Sequence, residues 1–131
     1  MASSNPYNQY LNVQFGTLDQ GRLILMAFDG AIRFCKSAEE CMGQGDKLGR
    51  GKNLAQAFDT VAELRNSLRP ESGGELAEHL NKAYAFISRQ ITLANVMNRG
   101  EYLQNAVVML ENIREAWREV VKQQNLSAVT P

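Results

Sequence analysis

His79 and Glu75 stand four residues apart, the spacing that places two side chains on one helix face and could hold a metal ion between them. A di-iron centre inside a helical bundle needs a Glu-x-x-His motif from each of two helices, and the chain has one histidine. A structural zinc wants four ligands of cysteine or histidine type, while Cys35 and Cys41 have no CxxC partner. The expectation is no metal, with His79 a helix-surface histidine beside glutamates. The glycine-rich stretch from Gly43 to Lys52 invites a phosphate-loop reading. A Walker loop ending at Gly51-Lys52 would need glycine where Asp46 stands, Ser or Thr where Asn53 stands, and a preceding strand. GxGxxG fails too, because Leu48 and Leu54 occupy the third glycine's place. No serine, cysteine or lysine stands in an arrangement that suggests an activated nucleophile. The residues point to no catalytic group, no cofactor and no enzyme.

Bulk composition narrows the remaining classes. With 131 residues the chain supports one core. Lys plus Arg and Asp plus Glu both count 14, so the basic excess that phosphate neutralisation demands is missing and no nucleic-acid partner is expected. Two cysteines six apart on a helix point in different directions and cannot bridge, which fits small buried side chains in a reducing compartment. The first residues, Met1 to Pro6, show neither a basic nor an apolar signal region. The longest apolar run, Leu23 to Phe28, is far too short to cross a bilayer. A cytoplasmic location without membrane insertion follows as the expectation.

The elements are set by apolar residues recurring every three or four positions, the signature of helices packed in a bundle. Ile24, Phe28, Ala31, Cys35, Ala38 and Met42 form one stripe. Leu54, Ala57 or Phe58, Val61, Leu64 and Leu68 form a second. Leu76, Leu80, Ala83, Ile87, Ile91 and Ala94 form the third; Leu103, Ala106, Leu110, Ile113, Trp117 and Val120 form the fourth. Glycines at 43 to 51, Pro70 with Gly73-Gly74, and Asn98-Arg99-Gly100 separate them. The predicted fold is all-α: a single-domain antiparallel up-down four-helix bundle, with helices near 19–43, 52–69, 74–97 and 100–124 and a short N-terminal cap segment, 1–18. Glu111–Arg114, Glu115–Arg118 and Glu119–Lys122 are predicted as i,i+3 pairs on a solvated face.

One bundle needs one apolar stripe per helix, and this chain has more. Leu23-Ile24-Leu25-Met26-Ala27-Phe28 covers every side of the first helix, so this turn and a half is predicted to be buried all round. Phe86, Leu93, Val96 and Met97 are a similar surplus on the third helix. The cover is either the chain's own segment from Asn5 to Phe15, through Tyr7, Tyr10, Leu11, Val13 and Phe15, or a partner helix in the groove. Periodicity does not choose between them.

The same residues carry a family likeness. Asn5-Pro6-Tyr7, Tyr10, the Thr17 region and Leu23 through Ile32 resemble the N-terminal signature of the flagellar secretion chaperone FliS family, approximately Asn-Pro-Tyr-x-x-Tyr followed by Leu-Ile-x-Met-Leu-Tyr-Asp-Gly-Ala-Ile. Glu63 to Leu68, Gly73 to Ala77, Ala94-Asn95 and Leu110 to Trp117 continue the likeness over nearly the whole chain. Ala27-Phe28 departs from the family's Leu-Tyr, so that tyrosine hydroxyl is absent. The resemblance implies a cytoplasmic export chaperone that binds the disordered C-terminal segment of flagellin, prevents premature polymerisation, and aids flagellar type III secretion, with an export-gate component as a further partner. It also implies an N-terminal cap over part of the groove. On that basis Tyr7 and Tyr10 are expected to make cap and groove contacts. Leu23, Met26 and Phe28 are expected to line the groove with Ile24 in the core. Asp29 and Arg33, at i,i+4, either orient the client or form an exposed pair, and Gly30 would permit close approach of another backbone. The alternatives are a histidine phosphotransfer module, on a slight likeness of His79-Leu80-Asn81-Lys82 to the phosphorylated helix of those domains, and a structural adaptor bundle.

Overall fold

A computed structural model of the chain describes residues 13–14, 18–69 and 74–129, with side chains described through Asn125. Among the described residues, four long helices, α1 (Leu18–Gln44), α2 (Lys47–Asn66), α3 (Glu75–Met97) and α4 (Glu101–Val129), run up and down in sequence order. Each packs on its neighbours in sequence, and α1 also packs on α4, which closes the square of the bundle. The predicted all-α four-helix bundle is the observed architecture.

The periodic stripes become the core because residues three and four apart share a helix face. Phe28, Ala31, Cys35 and Ala38 of α1 meet Leu54, Ala57, Val61 and Leu64 of α2 inside. The other half comes from Leu80, Tyr84, Ile87, Ile91 and Ala94 of α3 and Leu103, Ala106, Leu110, Trp117 and Val120 of α4. The choice left open on α2 resolves to Ala57, since Phe58 is exposed. On α3 the buried position beside Ala83 is Tyr84, whose ring lies 6.2 Å from that of Phe28 at 39°. Tilted aromatic pairs at this separation add to the burial they share.

The largest departure in element boundaries is the glycine-rich stretch, predicted to be a loop and observed to be mostly helix. Only Gly45 and Asp46 lie between α1 and α2. Gly45 takes φ +70°, and the amides of Gly45 and Asp46 return to the carbonyls of Met42 and Cys41 at 3.3 and 2.9 Å. That left-handed closure suits glycine. Asp46 then caps α2 by accepting from the Gly49 amide at 2.9 Å. Gly49 is inside α2 for a packing reason: a Cβ there would stand 2.8 Å from Cys41 Sγ and closer still to the Asp46 carboxylate. Close approach therefore overrides the roughly 1 kcal/mol helix cost of glycine. At the other tight turn Asn98 adopts φ 53° and the Arg99 amide bonds the Ala94 carbonyl at 3.3 Å. The Arg50 guanidinium donates to the Asn98 side chain from α2.

Of the three predicted pairs along α4, Glu115–Arg118 forms at 2.7 Å. Two of the other partners reach across to α1, and Glu119 stays on its own helix. Arg114 binds Asp29 of α1 at 3.0 Å and Glu111 reaches Lys36 at 3.8 Å. Glu119 accepts from Gln123 at 3.2 Å. For Glu111 and Arg114 the neighbouring helix offered a better-placed charge than the next turn did, and such surface pairs contribute about 0–1 kcal/mol each.

Both cysteines are free thiols on α1. Burial pushes the Cys35 thiol up to about 12, which leaves it protonated throughout the neutral range. Native protein treated with iodoacetamide at pH 8 is expected to leave Cys35 unmodified, with label appearing there only in denaturant. Peptide mass mapping checks this, and rapid native labelling of Cys35 would contradict the buried placement.

Candidate functional site

The first turns of α1 carry the surplus apolar residues, and the helix splits them between two environments. At 100° per residue, Phe28 points with Ala31 and Cys35 into the core, while Leu23 and Met26 point outward. Leu23 is 63% exposed and Met26 67% exposed, whereas Phe28 is fully buried. Ile24, Leu25 and Ala27 are half-buried against the core edge. The prediction that the whole run is buried is thus corrected. The bundle has a helix on two sides of α1 only, so the outward face keeps its methionine and leucine in water.

A cavity of about 430 Å³ opens between the start of α1 and the end of α2. Leu23, Ile24, Ala27 and Leu64 form its apolar lining. Gln14, Gln20, Glu63, Ser67 and Arg69 form a polar rim. Apolar walls with a few placed polar groups are the usual makeup of a site that takes up a side chain or a short peptide. Met26 lies three residues beyond Leu23 on the exposed side of α1 and does not line the cavity itself.

The expected site residues divide as follows. Leu23 lines the cavity, and Met26 is exposed three residues further along the helix. Phe28 does not line a groove: it stacks toward Tyr84 at the centre of the bundle, because its register coincides with the core stripe. Ile24, expected in the core, reaches the cavity as well. Asp29 pairs with Arg114 of α4 rather than with Arg33, since the neighbouring helix brings a guanidinium to 3.0 Å. Arg33 instead lies over the Phe34 ring, 5.5 Å from its centre, a cation–π arrangement. Gly30 is buried without a close backbone neighbour. An added Cβ would meet Arg33 Nη2 at 3.8 Å and Phe34 at 3.9 Å, ordinary contact distances. Tyr7 and Tyr10 lie outside the described residues.

Periodicity missed Gln14. It is buried to 4% exposure beside a fully buried Val13, and its amide joins α2 to α3. A polar residue in a segment without helical pattern carries no signal of such burial; Val13 alone was marked by its apolar type. Glu63 and Ser67 fall in the stretch, Glu63 to Leu68, that carries the family likeness without an expected role, and with Arg69 they form the rim at the end of α2 and just beyond it.

Further apolar surface lies on the other helices. Of the surplus on α3, Phe86, Val96 and Met97 are exposed and Leu93 is half-buried. Phe58 lines a second cavity, about 270 Å³, between α2 and α3 with Leu54, Ala55 and Ile91. His79 is exposed on α3, at the edge of an apolar depression formed by Leu76, Leu80, Ala83, Ile113 and Ala116. Among the described residues no three His, Cys, Asp or Glu side chains gather where they could hold a metal. No helix among them is long and apolar enough to cross a membrane.

The family described as "Flagellar protein FliS" matches residues 3–124. The chain is 33% identical over 100 residues to the flagellar secretion chaperone FliS of Salmonella typhimurium, covering 76% of this chain and 74% of that one. It is 31% identical over 120 residues to its counterpart in Campylobacter jejuni, covering 92% and 94%. The Vibrio cholerae protein of the same name is 30% identical over 116 residues, covering 88% and 85%. A helical bundle with a complete core, apolar residues left over on α1 and α3, and likeness to these chaperones along most of its length: the chain belongs to the FliS family of flagellar secretion chaperones, which are not enzymes.

Proposed function

We propose that the client of this flagellar export chaperone is the disordered C-terminal segment of flagellin, held in the cytoplasm until export. The observation that carries the reading is the placement of Leu23 and Met26. They are large, exposed and next to a 430 Å³ apolar-lined cavity, on a bundle whose core is already filled without them. A segment that folds on binding gives up about 2–5 kcal/mol or more to ordering, so it needs a long apolar surface to offset that cost. Leu23, Ile24 and Ala27 would take the client's apolar side chains, and Met26 suits an adaptable contact because its side chain is flexible and polarizable. Glu63, Ser67 and Arg69 would meet polar backbone at the rim. Tyr7 and Tyr10 would cap part of this surface in the free protein and give way to the client, which weakens net affinity and eases release to an export-gate component.

Calorimetric titration of the full chain with a peptide from the C-terminal end of its host's flagellin tests this. The expected result is saturable binding near one to one, with a negative heat-capacity change and a gain of helicity. A peptide that shows no saturable heat and no helicity gain would overturn the reading.

A further inference from the structure

Gln14 sits where the cavity wall meets the core. Both hydrogens of its amide are used, Nε2 donating to the Leu64 carbonyl at 2.7 Å and to Ser67 Oγ at 2.7 Å. Its oxygen accepts from the Tyr84 hydroxyl at 2.8 Å. The Ser67 hydroxyl in turn donates to the Leu64 carbonyl at 2.8 Å, and the Arg69 amide donates to the carbonyl of Val13. Tyr84 is fully buried and packed toward Phe28. Gln14, Leu64 and Ser67 all line the cavity that also contains Leu23 and Ile24. A buried amide with every group satisfied has one low-energy position, because moving it orphans several partners at once.

We infer that Gln14 is a positioning residue for the client site, latched by Tyr84 from the core side and by Leu64 and Ser67 from the end of α2, so that the cavity wall opposite Leu23 and Ile24 is held ready before the client arrives. This rests on the client reading above. Wall groups fixed in advance do not have to be ordered on binding, and affinity rises accordingly. The latch also ties the cavity to the centre of the bundle, since Tyr84 joins Gln14 on one side and Phe28 on the other.

Tyr84→Phe removes the donor and keeps the ring. It is expected to weaken binding of the flagellin C-terminal peptide by about fivefold, the effect of losing one buried hydrogen bond, in titrations well below the melting temperature. Gln14→Met, which keeps the side-chain length, is expected to weaken it at least as much. The double variant should bind no more weakly than Gln14→Met alone, because both changes break the same bond. If either substitution prevents folding, Ser67→Ala probes the latch from the rim and should weaken binding in the same direction. Dissociation constants equal to wild type, with only melting lowered, would overturn the inference and leave the client reading intact. Losses that simply multiply in the double variant would overturn it too. A wild-type chain that does not bind the peptide would remove both readings together.

Discussion

Met26→Asp lowers affinity for the flagellin C-terminal peptide at least tenfold, about 1.4 kcal/mol, while the variant stays as helical and nearly as stable as wild type. The side chain is 67% exposed in the free protein, so the substitution disturbs no packing. Surface changes of this kind shift stability by about 0.5 kcal/mol or less. Arg22, one turn upstream on the same exposed side, partly compensates the new charge. Under a bound apolar segment the carboxylate would instead lose water without gaining a partner, which is costly. Titration calorimetry and circular dichroism on one preparation measure both halves of this expectation. Normal binding would remove Met26 from the client surface, and loss of helicity would place it in the structural core.

Phe28→Ala, two residues along, has the opposite consequence. The ring is fully buried between the helices and faces Tyr84 at 6.2 Å. Truncating a buried phenylalanine costs about 3–5 kcal/mol, because the cavity left behind closes only in part. That is a large share of the roughly 5–15 kcal/mol that keeps a domain folded. Urea denaturation is expected to show a much lower midpoint with the slope unchanged. A cost below about 1 kcal/mol, combined with lost peptide binding, would return Phe28 to the groove. The two variants together therefore divide α1 into a client-facing side and a core-facing side, a separation at 26 and 28 that the uninterrupted apolar run conceals.

The number and order of helices were legible from periodicity, since a stripe at three- and four-residue spacing buries well in no other element. The stripes through Phe28, Val61, Ile87 and Leu110 are the core as expected. The surplus on α1 and α3 was legible as well, as more apolar residues than one stripe can hide, although the all-round burial expected on α1 does not hold and some remain outside. What composition concealed was which ones. Leu23, Met26 and Phe28 have the same chemical character, and their fates differ only through the angle each makes with the bundle axis and the side on which α2 and α4 pack. Gly49 read as a loop residue until the sulfur of Cys41 was brought against it from α1. Asp29 read as a partner for Arg33 until α4 presented Arg114. Gln14 had no pattern to announce it, because its burial depends on a tyrosine seventy positions away and on the last turn of α2. Local sequence thus determined the helices and their apolar faces, where the relevant neighbours are three or four residues apart. Tertiary structure decided the cavity, the cross-helix pairs and the buried amide, because each depends on atoms that only the closed bundle brings within a few ångströms.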